Sequence, residues 1–144
     1  MTRTKDIERI VTAAHALTRI AAVRTGSEVP AAQWRMLSAL NGEGALRVGA
    51  LAQFARTPQP VVTRLVGQLV DEGLVTRAGD PEDSRATVVD LTADGREALD
   101  RWRTDLVAAI EPLFTDLADD EWETLRRASQ ILADRTAVSL AVAR

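Results

Sequence analysis

Pro58-Gln-Pro-Val-Val-Thr-Arg-Leu-Val-Gly-Gln-Leu-Val-Asp-Glu-Gly73 is the stretch on which the reading of this chain turns. Val62, Leu65, Val66 and Leu69 recur at the spacing of one helix face and predict a buried stripe. The opposite side holds Pro60, Arg64, Gly67 and Gln68, flanked by Val61 and Thr63. Thr57-Pro-Gln-Pro60 supplies the start, because a first turn has N–H groups without intrahelical partners and so tolerates proline. Gly73 supplies the stop. The period then switches. Leu74-Val-Thr-Arg-Ala-Gly79 and Ala86-Thr-Val-Val-Asp-Leu91 are short β-branched stretches around Asp80-Pro-Glu-Asp-Ser-Arg85, whose residues are turn chemistry, so a hairpin follows the helix.

Working outward, Leu51, Ala52 and Ala55 predict a short helix before this one, and Trp34, Leu37 and Leu40 another, closed by Asn41-Gly42. Ile7, Ile10, Val11, Ala14, Leu17, Ile20 and Ala21 mark a long first helix that Gly26 and Pro30 end. After the hairpin Thr92 reads as an N-cap. Leu99, Trp102, Leu106, Ile110, Leu113, Phe114 and Leu117 predict one helix through Leu117, and Trp122, Leu125, Ala128, Ile131 and Leu132 a last one from Asp119. The fold class is therefore mainly α: a winged helix-turn-helix with long N- and C-terminal dimerisation helices. Residues 1–144 read as a single domain, with 31–91 the winged helix-turn-helix unit and 1–30 and 92–144 the dimerisation helices. The end helices carry more apolar stripe than the small central unit can cover, and a second copy of the chain is expected to bury the surplus in a homodimer.

Composition narrows the function. With 144 residues, 46% hydrophobic and 27% charged, the chain can bury a core and does not have the signature of disorder. The absence of cysteine excludes disulfides, thiolate metal sites and cysteine redox sensing. The longest stretch without Asp, Glu, Lys or Arg, Ile10 to Thr18, is far shorter than the roughly 20 residues of a spanning helix. No apolar stretch follows the basic residues near Met1, so no secretory signal is expected, and the expected location is cytoplasmic. An enzyme is not expected: the single histidine has no cysteine partner, no glycine loop cradles phosphate, and Asp119-Asp120 and Glu82-Asp83 lack a companion base. No His or Cys cluster suggests a metal, and no cofactor is expected.

Net charge of −3 argues against bulk attraction to nucleic acid, but the charge is unevenly distributed. No acid occurs from residue 44 to residue 70, while Arg47, Arg56 and Arg64 do. Among the groups on the outward side of the central helix, glutamine can pair with adenine, Arg64 with guanine or phosphate, and Val61 or Thr63 can touch a thymine methyl. At the hairpin, Arg85 can enter a minor groove with Asp83 holding its fork. Two readings stand at this point: a regulator of double-stranded DNA, or a winged-helix protein-interaction module without DNA binding, which the acidic balance favours and the acid-free window and the Asp83/Arg85 pair oppose.

Leu46-Arg-Val-Gly-Ala-Leu-Ala-Gln-Phe-Ala-Arg56, Pro58-Gln-Pro-Val-Val-Thr-Arg-Leu-Val66, Asp71-Glu-Gly-Leu-Val-Thr-Arg77 and Asp80-Pro-Glu-Asp-Ser-Arg85, followed by Asp90-Leu-Thr-Ala-Asp-Gly95, together resemble the MarR family of bacterial transcriptional regulators. The resemblance covers nearly the whole chain. It implies that Gln59, Pro60, Val61, Thr63 and Arg64 lie on the recognition helix, Arg77 on the strand into the wing, and Asp83 and Arg85 on the wing motif. It further implies a repressor that binds a pseudopalindromic operator as a homodimer and is released by a small aromatic or anionic inducer, with His15 and Trp34 as candidate ligand-binding residues. Arg19 and Arg35 can meet an anion, but solvated surface is the preferred reading of both. Ser84 stands where many relatives have another basic residue, Arg56 where a turn glycine is frequent, and Pro58 where a serine cap is common.

Overall fold

The computed structural model describes residues 2–142, with side-chain environments for residues 2–137. These fall into two compact units, one running to Ala109 and one beginning at Ile110. The first contains helices α1 (Arg3–Thr25), α2 (Ala31–Glu43), α3 (Val48–Ala55) and α4 (Gln59–Asp71), strands β1 (Leu46–Arg47), β2 (Val75–Asp80) and β3 (Asp83–Leu91), and all but the last residue of helix α5 (Ala93–Ile110). The second contains a 3₁₀ turn, Glu111–Phe114, and helix α6 (Asp119–Val142). This is a mainly helical winged helix with a small antiparallel sheet.

Apolar burial organises the first unit around α4. Val62, Leu65, Val66 and Leu69 are no more than 2% exposed and pack with Met36, Leu37 and Leu40 of α2, Leu51 and Ala55 of α3, Val75, Val89 and Leu99. At about 1.5–3 kcal/mol per large aliphatic side chain buried, this cluster dominates the stability of the unit. Trp34 and Trp102 extend it as a stacked pair, ring centroids 4.8 Å apart and 11° from parallel.

Backbone exceptions set the joints. At the end of α4, Gly73 adopts φ 74°; its N–H donates to the Val70 carbonyl at 3.0 Å, and that of Leu74 to Leu69 at 2.9 Å, which stops the helix and turns the chain into β2. Thr92 then starts α5. Its hydroxyl accepts from the Gly95 amide at 3.0 Å and donates to the Gly73 carbonyl at 2.7 Å, while its own amide donates to the Leu74 carbonyl at 3.1 Å. One residue thus caps a helix and fastens it to the exit of α4.

Several expectations need correction. The helix predicted through Leu117 ends at Ile110, because Pro112 has no N–H and its ring opposes helix continuation; a 3₁₀ turn follows. Asn41-Gly42 does not close α2, which continues to Glu43 and stops at Gly44, where φ is 81° and the amide donates to Leu40 at 2.9 Å. Leu46 and Arg47 form a third strand, paired with Val89 and Val88, so the sheet order is β1-β3-β2. The hairpin is tighter than the turn sequence suggests: β3 begins at Asp83, and only Pro81 and Glu82 lie between the strands.

Candidate nucleic-acid interface

The helix-turn-helix is α3 and α4 joined by a turn in which Arg56 adopts φ 50° and ψ 47°. This left-handed geometry explains why glycine would suit the position. The turn is tied from outside: the half-buried Arg35 of α2 donates through Nε to the Ala55 carbonyl at 2.7 Å and through Nη2 to the Thr57 hydroxyl at 3.3 Å. Arg35 is therefore a joint residue and not the solvated surface its charge suggested. Pro58 precedes α4, its carbonyl accepting from the Val61 and Val62 amides at 3.0 and 3.1 Å. No side chain caps this helix, and Pro60 offers no N–H.

Burying the apolar stripe of α4 leaves Gln59, Pro60, Thr63 and Arg64 exposed and Val61 half-buried. The Thr63 hydroxyl donates to the Gln59 carbonyl at 3.0 Å, which orients its methyl and oxygen on the outer face. Opposite, the pleat of β2 places Arg77, paired with Val89, on the same sheet face as Val75. Arg77 is exposed where Val75 is buried, since it lies one step farther out along the strand.

The tip is shaped by carboxylates. Asp80 Oδ1 accepts from the Glu82 amide at 2.9 Å, and Asp83 Oδ1 from the Arg85 amide at 3.0 Å. The register jumps between Gly79–Thr87 and Asp80–Asp83, leaving Ser84, Arg85 and Ala86 as a bulge. Its Arg85 side chain is 91% exposed and only 3.5 Å from Asp83 Oδ1, an ion pair worth about 0–1 kcal/mol, so the guanidinium is available to a partner. Asp80 differs. Arg47 reaches its Oδ2 through Nε at 2.7 Å and Nη2 at 2.6 Å. The Glu82 amide first, and then Arg47, hold the Asp80 carboxyl below its ordinary range.

These elements converge on a cleft of 560 Å³ between α4 and the hairpin, lined by Gln59, Thr63 and Val66 on one side, Arg77, Arg85 and Thr87 on the other, and Arg47 to Ala50 at its floor. Arg77 and Arg85, with two polar readers, around one groove suit a polyanion that also presents hydrogen-bonding edges.

Comparison with known proteins gives the family. Residues 27–86 match the model of the MarR family. An uncharacterized HTH-type transcriptional regulator of Mycobacterium leprae is 34% identical over 111 residues, 75% of this chain and 76% of that one. The chain belongs to the MarR family. Also similar to this MarR-family regulator are the HTH-type transcriptional repressor IacR of Pseudomonas putida, 26% identical over 69% of this chain and 60% of the other, and the PcaV transcriptional regulator of Streptomyces coelicolor, solved in complex with its natural ligand. PcaV shares the fold with a TM-score of 0.59 at 22% identity, over 92% and 93% of the two chains.

Of the residues singled out in this MarR-family chain, Gln59, Thr63, Arg77 and Arg85 meet at the cleft, while Pro60, Val61 and Arg64 lie on α4 but do not line it. The half-buried Asp83 shapes the tip. His15 is exposed on α1, and Trp34 packs against the core with its indole Nε1 buried and without a hydrogen-bond partner among the described residues. Arg47 and Asp80 were missed. A strand of two residues carries no pattern, and their bond joins positions 33 apart in the chain.

Proposed function

We propose that this MarR-family transcriptional regulator is a homodimeric repressor that inserts α4 into the major groove and the β2–β3 wing toward the adjacent minor groove of a pseudopalindromic operator. The cleft that joins Gln59, Thr63, Arg77 and Arg85 carries this reading. Gln59, Pro60, Val61, Thr63 and Arg64 are assigned to the groove face, and Arg77, Asp83 and Arg85 to the wing. In this reading residues 31–91 are the DNA-binding unit, and 1–30 and 92–144 form the dimer. Exposed Ile7, Ile10 and Val11 on α1, and exposed Trp122, Leu125, Ile131 and Leu132 on α6, support the assembly, since large apolar side chains in rows favour burial by a partner. Repression is supported by the similarity to IacR.

A small aromatic or anionic inducer is assigned to the region of His15 and Trp34, supported by the unpartnered indole N–H of Trp34 and by the ligand-bound state of PcaV. No cofactor enters the reading, and the cytoplasm is its assigned location; no helix among the described residues is long and apolar enough to cross a membrane. Selection of duplexes from a randomised library tests the function. The wild-type protein should enrich a palindrome, and Gln59→Ala or Thr63→Ala should change the preferred bases. Failure to retain any duplex at low salt, where phosphate attraction is greatest, would favour a protein-interaction module.

A further inference from the structure

We propose that Arg47 and Asp80 form a brace that fixes the wing relative to the recognition helix, so that Asp80, an acid beside the DNA-facing cleft, raises affinity for DNA. The inference rests on the DNA-binding reading above. Both Arg47 nitrogens converge on Asp80 Oδ2, at 2.7 and 2.6 Å, while Oδ1 accepts the Glu82 amide at 2.9 Å. One carboxylate therefore links the two-residue hairpin tip to the last residue of β1, immediately before α3. The side chains of Asp80 and Arg47 are 12% and 51% exposed, against 37% and 91% for Asp83 and Arg85 in the loose pair at the tip, so solvent screens the brace less.

Topology gives the brace its purpose. β1 accompanies β3 for only two register positions, Leu46 with Val89 and Arg47 with Val88. Farther out, from Gly79 and Thr87 to the tip, the wing is a two-stranded ribbon, an arrangement marginal by itself, and it carries Arg85, while Arg77, paired with Val89, lies where β1 still accompanies β3. Asp80 lies at the outer end of β2, beyond Arg77, and its bond to Arg47 ties that end back to the helical unit. The Glu82 amide and the Arg47 guanidinium also hold the Asp80 carboxyl below its ordinary range, so it is charged for this pairing. Arg47 spends its fork on Asp80 and acts as a positioning residue.

The rival role for Arg47 is direct contact with phosphate, in which case Asp80 competes with the DNA. The two roles predict opposite signs for Asp80→Asn. With a duplex selected from a randomised library by the wild-type protein, removal of a competing negative charge would tighten binding; loss of the brace weakens it, on the order of tenfold. Arg47→Ala should weaken binding by a similar factor, and the double variant Arg47→Ala/Asp80→Asn no more than either single one. Arg47→Lys, which keeps one charged donor, should recover part of the loss. Amide hydrogen exchange read without DNA should rise at residues 80–87 in Asp80→Asn while α4 stays protected, which separates a freed wing from general unfolding. Failure of the wild-type protein to select any duplex would refute the DNA-binding reading and the brace with it. Selection followed by equal or tighter binding of Asp80→Asn, or unchanged exchange at the wing, would refute the brace alone.

Discussion

Gly95→Ala probes how the recognition helix, wing and α5 are fastened together. Gly95 is buried in the first turn of α5, and a Cβ there would sit 2.0 Å from the Leu74 carbonyl oxygen, 2.7 Å from Leu91 Cδ1 and 3.0 Å from Leu74 C. The nearest obstacle is backbone, so relief requires α5 to move away from the α4–β2 junction. That motion strains the Thr92 amide bond to Leu74 and the Thr92 hydroxyl bond to Gly73. Overpacking costs about 1–3 kcal/mol, and weakening two hydrogen bonds adds about 1 kcal/mol each. The better helix propensity of alanine returns about 1 kcal/mol. The net loss is about 2–4 kcal/mol, or a fall in Tm of roughly 5–15 °C for a chain of this size.

Urea unfolding followed by circular dichroism measures the effect, with Gly67→Ala in α4 as the control. Apart from the backbone of its own helix and its chain neighbours, no atom of the described residues lies within 4 Å of the position a Cβ would take at Gly67, so helix propensity acts alone and should stabilise by about 0.5–1 kcal/mol. If Gly95→Ala matched or exceeded the wild type in stability, the fastening of α5 to Leu74 would be wrong.

Other substitutions separate local strain, capping, charge and contact. Arg56→Gly should stabilise by up to about 1 kcal/mol in the same assay, as relief of a left-handed residue outweighs the added freedom of the unfolded chain; destabilisation would mean the Arg56 side chain is held by something else. Thr92→Ala should cost about 1–2 kcal/mol, and a loss below 0.5 kcal/mol would remove its capping role. Arg85→Ala should lower DNA affinity on the order of tenfold at fixed salt without moving Tm, and unchanged affinity would dismiss the wing contact. Because the Asp80 carboxyl is held low, its stabilising contribution is complete above its ordinary value of 3.8 and is lost as pH falls through the lower folded value. The stability difference between wild type and Asp80→Asn should accordingly shrink on acidification; a difference that grows below pH 3.8 would contradict the pairing.

The parts of the fold legible in the sequence were those written in short-range pattern. Val62, Leu65, Val66 and Leu69 announce the buried face of α4 because a helix repeats its environment every three to four residues, and Gly73 and Thr92 announce its exit and the next start by local chemistry. The break at Pro112 was legible too, but the apolar series from Leu106 to Leu117 masked it, since Leu113 and Leu117 keep the helical spacing across the 3₁₀ turn. β1 carries no signal of its own; its two residues become a strand only through Val88 and Val89.

The candidate site divides in the same way. Thr63 and Arg64 follow from the outward side of one helix, Gln59 from the family resemblance, and Arg85 from the turn. What the sequence could not display was which charges are already occupied. Arg35 serves carbonyl and hydroxyl oxygens of another helix and its turn, and Arg47 serves a carboxylate on another strand. Both look like free arginines until the tertiary fold supplies their acceptors.

Hydroxyl-radical footprinting of the wild-type protein on its selected duplex tests the central claim most directly. Two recognition helices and two wings predict protected patches related by a dyad, centred about one helical turn apart, with the flanking minor-groove protection lost in Arg85→Ala and the central protection retained. A single undivided patch, or one that Arg85→Ala leaves unchanged, would contradict a dimer that reads DNA through α4 and its wing.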